Sequence, residues 1–167
     1  MSKHGLGVAV GQQRNAETMI QTTRRELDVP LDTRSLAPLR EFVREVLKEG
    51  KLTTKVSRAV VIAIDEACSS IILNAKEHNA AGSLRLLIDI DPTRVKIRIS
   101  DTGNDYDVGD ITREELLKEF TRSKKTELGT FLIRRVMDEF SYVFKKGFQS
   151  EIEMLKFLYE QNEPQAN

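Results

Sequence analysis

One cysteine, two histidines and no tryptophan occur among the 167 residues. Cys68 therefore has no intramolecular disulfide partner and suits a reducing compartment. His4 and His78 are too far apart and too poorly accompanied to suggest a metal centre. Charge of one sign is also missing. Lys plus Arg and Asp plus Glu stand at 26 each, so no bulk positive field exists to attract a nucleic-acid backbone. No run approaches the roughly 18 apolar residues of a membrane span. The apolar stretch Gly5–Val10 lacks the length and basic flank of a signal peptide. No internal repeat or low-complexity segment is visible. The length favours one domain, and these absences together point to the cytoplasm.

The periodicities define that domain. Residues 1–22 have no sustained apolar period and read as a loose arm, and 161–167 as a disordered tail, leaving 23–160 as the folded unit. Arg24–Leu31 alternates Leu27, Val29 and Leu31 with polar neighbours, a strand that Pro30 assigns to a sheet edge. Asp32 or Ser35 is placed to cap a helix carrying Leu39, Phe42, Val43, Val46 and Leu47 on one face, with Gly50 as its stop. Thr54–Glu77 is a long helix with a stripe of Val56, Val60, Ala63, Ala67 and Ile71. Val61, Ile62 and Ile72 make it apolar on further sides, so it is expected to be central. Two strands, Leu84–Asp89 and Arg94–Ser100, flank the turn signal Asp91-Pro-Thr93. Thr112–Phe120 reads as a capped helix, Arg122–Glu127 as a basic break and Leu128–Glu139 as a helix. Phe140–Lys145 and Glu151–Leu158 read as strands around a turn at Gly147. The order predicts an α+β fold, a two-layer sandwich with helices on one face of a mainly antiparallel sheet.

Three segments carry a resemblance. They are Ala63–Ser70 on the long helix, Asp101-Thr-Gly103 after a strand with Tyr106 and Asp107 beyond it, and Leu128–Tyr142. In this order they are similar to the nucleotide-binding boxes of the GHKL ATPases. The third box most resembles the anti-sigma-factor serine kinases of the RsbW type, and the likeness covers about residues 25–158.

The resemblance implies ATP and Mg²⁺ as cofactors. It implies Glu66 as the general base that takes a proton from a substrate serine, Asp101 as the carboxylate that reads adenine, and Gly103 as the turn beside it. Gly129 and Thr130 would open the last long helix, where free N–H groups favour phosphate. Lys124 and Lys125 would lie in a lid-like segment before it, offsetting nucleotide charge or simply solvated. Where the family carries a metal-binding asparagine, this chain has Ser70; where it carries a first glycine, this chain has Glu127. Apart from the resemblance, Glu66 reads as a solvated helix glutamate and Asp101-Thr-Gly103 as a common turn. Phe131 and Tyr106 read as packing residues, Cys68 as structural, and at least one of Arg134 and Arg135 as a surface charge.

Two functions follow. In the first, an ATP-dependent kinase sequesters a sigma factor and phosphorylates a serine on an antagonist protein, as a homodimer, without contacting nucleic acid or membrane. In the second, the same fold is a partner-switching module with weak or no nucleotide turnover.

Overall fold

A computed structural model describes residues 19–77, 79–101, 124–145 and 149–158. Five strands form one sheet in the order β1-β2-β3-β5-β4, and every neighbouring pair is antiparallel. The strands are β1 (Thr23–Pro30), β2 (Ser83–Ile90), β3 (Arg94–Asp101), β4 (Glu139–Lys145) and β5 (Gln149–Phe157). The helices are α1 (Leu36–Glu49), α2 (Thr54–Glu77) and α3 (Lys124–Val136). The predicted α+β sandwich is therefore present, with hairpins at β2–β3 and β4–β5. The expected helix Thr112–Phe120 and the turn at Gly147 lie outside the described residues, as does the 161–167 tail.

Alternation along the strands makes two unlike faces. Leu84, Leu86, Ile88 and Ile90 of β2 and Val95, Ile97 and Ile99 of β3 are fully buried. Each such side chain contributes about 1.5–3 kcal/mol through removal from water. Most of their alternates carry charge, and the strand register sets opposite signs side by side. Arg85 meets Asp28 at 2.9 Å, Arg24 meets Asp89 at 3.6 Å, and Lys96 and Arg98 both reach Glu153, at 2.9 and 3.0 Å. These exposed pairs are worth little individually. Their effect is to keep that face wet, and the described helices cover the other.

Turns fix the direction of the helices. Asp32 caps a single 3-10 turn at Thr33–Ser35 by accepting from the Arg34 N–H at 2.8 Å. Ser35 precedes α1 but makes no side-chain cap; its hydroxyl donates instead to the Pro30 carbonyl at 2.8 Å. α1 ends at Gly50, but the left-handed residue is Lys51, at φ 54°. Gly50 answers a packing demand instead: a Cβ there would lie 2.6 Å from Cδ1 of Ile90. Ile90 is at the β2–β3 turn, so α1 runs from the Pro30 end of the sheet to the opposite end. α2 runs back, and Asn79 at φ 50° closes it while the Ala80 N–H donates to the Ala75 carbonyl at 2.8 Å. Ahead of β1, Ile20 packs on the core and the Gln21 N–H donates to the Gly50 carbonyl at 3.2 Å.

α2 is central, as its sequence predicts. All five residues of its stripe are buried, as are Ile64, Cys68, Ile72 and Ala75. Ile62 differs: it is 42% exposed. The start of α3 also differs from expectation, because Lys124–Glu127 is helical rather than a break. Lysine and glutamate are good helix formers, and Lys124–Glu127 has no apolar residue whose spacing would reveal the turn.

Candidate functional site

Asp101 is the last residue of β3, opposite Leu84 on β2 and Ser150 on β5. Strand alternation places it in line with Val95, Ile97 and Ile99, on the side the helices cover. It is 7% exposed, a buried carboxylate that ends an otherwise apolar row along β3. A charge at that depth is tolerated only with polar partners, which makes the position chemically distinctive.

α2 climbs toward the same end of the sheet. Glu66 and Ser70 are about 40° apart on the helix and separated by ~6 Å along its axis. Ser70 is nearer the Asp101 end. Both are half-buried. Asp65, next in sequence to Glu66, points elsewhere: it accepts from Arg40 of α1, Nε at 2.5 Å and Nη2 at 3.2 Å. Cys68 is fully enclosed, and burial, followed by the charge of Asp65, pushes its thiol up to about 12. It is structural.

α3 packs against α2 and runs antiparallel to it, descending to β4. Gly129, Ile133 and Met137 succeed one another at four-residue intervals and are buried, so this stripe faces inward. A Cβ built on Gly129 would lie 3.2 Å from Oε2 of Glu66. The carboxylate of α2 therefore rests against the bare backbone of α3. Glu66 and Gly129 come together; Asp101 closes the sheet at the end toward which α2 rises.

The Histidine kinase-like ATPase domain profile matches residues 29–156, most of the chain. The chain belongs to the histidine kinase-like ATPase family. Among curated relatives, the Serine-protein kinase RsbW of Staphylococcus aureus strains JH9, Newman and USA300 is 28% identical over 141 residues in each case. That match covers 80% of this chain and 86% of the relative. The RsbW-type resemblance carried by the three segments thus holds.

Within this ATPase domain several expectations need revision. Gly129 does not open α3. Five helical residues precede it, so its N–H falls beyond the free groups of the first turn and is no phosphate donor of that kind. Lys124 and Lys125 belong to the helix itself, not to a break ahead of it. Thr130 is half-buried in the second turn. Phe131 is 58% exposed rather than packed, because it stands about 200° around the helix from Gly129. Arg134 and Arg135 are both exposed, and the Arg134 guanidinium lies 5.3 Å from the centre of the Phe140 ring. Gly103, Tyr106 and Asp107 lie outside the described residues.

The family implies ATP, and usually Mg²⁺. A buried carboxylate at the sheet end, on the helix-facing side, fits an adenine amino group as hydrogen-bond donor. The metal fits less well. Among the described residues no three His, Cys, Asp or Glu side chains gather into a set that would hold an ion. Ser70 supplies one short neutral hydroxyl, whereas Mg²⁺ is ordinarily held by carboxylates and phosphate oxygens. Also among the described residues, no helix is long and apolar enough to cross a membrane.

One feature had no signal in the sequence. The Arg40–Asp65 pair joins α1 to α2 across 25 positions, and neither residue has a pattern that names the other. A shallow apolar groove lined by Leu52, Val61 and Ile62, with Arg58 at its edge, lies on the first turns of α2 and includes none of the candidate site residues.

Proposed function

We propose that this chain is an ATP-dependent protein serine kinase that doubles as an anti-sigma factor, acting as a homodimer on a small antagonist protein. The observation that carries the reading is the pairing of Glu66 with Gly129 on packed helices, in a domain whose relatives include the Serine-protein kinase RsbW. ATP would supply the transferable phosphoryl group. Asp101 would accept a hydrogen bond from the adenine amine, which guanine cannot offer in that position. Glu66 would accept the proton of the incoming serine hydroxyl, the role a half-buried carboxylate can fill within hydrogen-bond reach of the nucleophile. Lys124, Lys125 and Thr130 would border the nucleotide on its phosphate side, and Gly103 would supply the turn beside Asp101. Ser70, one turn above Glu66, would face the phosphates and contribute at most a weak metal contact.

Label transfer tests this reading. γ-Labelled ATP with Mg²⁺ is incubated with the protein and a candidate antagonist carrying an acceptor serine. Phosphoserine on the antagonist is the expected product. Intact ATP binding without transfer would instead identify a partner-switching module.

A further inference from the structure

We propose that Gly129 is a positioning residue whose missing side chain forms the socket for the Glu66 carboxylate. The inference rests on the kinase reading above, yet it concerns how the base is held rather than whether it acts. Three observations converge on it. Gly129 lies in the interior of α3, where glycine weakens a helix relative to alanine, so its presence calls for a compensating reason. It is buried on the face that meets α2, in line with Ile133 and Met137. Among the described residues, and apart from its chain neighbours and the backbone of its own helix, the one heavy atom within 4 Å of a Cβ at this position is Oε2 of Glu66, at 3.2 Å. The approach limit is therefore set by the carboxylate and not by the apolar core.

The consequence is steric and specific. A methyl group at position 129 would push the carboxylate outward by a few tenths of an ångström or force a new rotamer. Small displacements of a catalytic group can cost a large part of its effect. Asp65, about 100° around α2 from Glu66, is tied to Arg40, so rolling the helix to relieve the contact would break that pair. The strain falls on Glu66 itself. A shorter acid at position 66 would relieve it.

The test is a double-mutant cycle of Gly129→Ala and Glu66→Asp, read by transfer at saturating ATP, by ATP affinity and by thermal midpoint. G129A is expected to lower kcat roughly tenfold or more, to leave ATP affinity within about twofold, and to keep or raise the thermal midpoint. Adding E66D to G129A is expected to cost less than E66D costs in the wild type. Unchanged kcat in G129A, or loss of ATP affinity in step with kcat, would overturn the socket. A second readout does not depend on transfer. The ¹³Cδ resonance of Glu66, assigned by its loss in E66Q, should move in G129A without nucleotide. A stationary resonance would refute the proposal even if the wild type proved to have no kinase activity, and a displaced one would uphold it while the kinase reading alone failed.

Discussion

Asp65 and Glu66 are adjacent carboxylates committed to different helices: Asp65 is held by Arg40 of α1, while Glu66 lies against Gly129 of α3. A turn of about 100° per residue separates them, enough to send one to a structural pair and the other to the candidate site. Their replacement should therefore have unlike effects. Glu66→Ala is expected to reduce transfer by about 10²–10⁴-fold with ATP affinity nearly intact. Asp65→Ala is expected to retain most transfer and to lose up to about 1 kcal/mol of stability, the ceiling for a partly exposed pair. Transfer and urea unfolding on the two variants check this, and equal effects on transfer would contradict it.

Ser70 offers a hydroxyl where the family resemblance implies an asparagine amide. Ser70→Asn is expected to strengthen ATP binding in the presence of Mg²⁺ and to leave metal-free binding unchanged. Titrations with and without the ion separate the two. An equal change in both would mean that position 70 acts on the nucleotide without a metal.

Cys68 should be inert while the fold persists. Burial first, and then the nearby Asp65 charge, raises its thiol to about 12, and the thiolate is the reactive form. Iodoacetamide at pH 8 is expected to leave the native protein unmodified and to alkylate it in urea, as read by mass spectrometry. Rapid alkylation of native protein would show that α2 opens readily.

Acid should destabilise the domain. The Arg34 side chain and N–H hold Asp32 at about 2. Burial raises Asp91 and Glu153, but bonds from Thr93 and Arg94 to the first, and from Lys96 and Arg98 to the second, leave both lowered. For each group the unfolded chain binds protons more readily than the folded one. Its stabilisation is thus present above the unfolded value and lost as pH falls through the folded value. The unfolding midpoint should decline from about pH 4.5 downward, and Asp91→Asn should flatten part of that slope. A midpoint that rises on acidification would contradict the sign.

Much of this was legible in the sequence because apolar spacing and register are local properties. The bounds of α2 follow from its stripe, and both hairpins follow from the alternation flanking Asp91-Pro-Thr93 and preceding Leu158. The resemblance of three short segments foretold the family. What the sequence hid was longer in range. Gly50 looks like a helix stop, but its close approach to Ile90 appears only when α1 lies on the sheet. Gly129 looks like a helix start because Lys124–Glu127, the residues that open the helix, include no apolar marker. Its contact with Glu66 joins residues 63 positions apart, a distance that no periodicity spans.

Calorimetric titration of ATP into the wild type and into Asp101→Asn tests the nucleotide site most directly. Saturable binding by the wild type, weakened about tenfold or more in the variant, is the expected result. If the wild type takes up no ATP, or the variant binds it equally well, the Asp101 end of the sheet is not an adenine site.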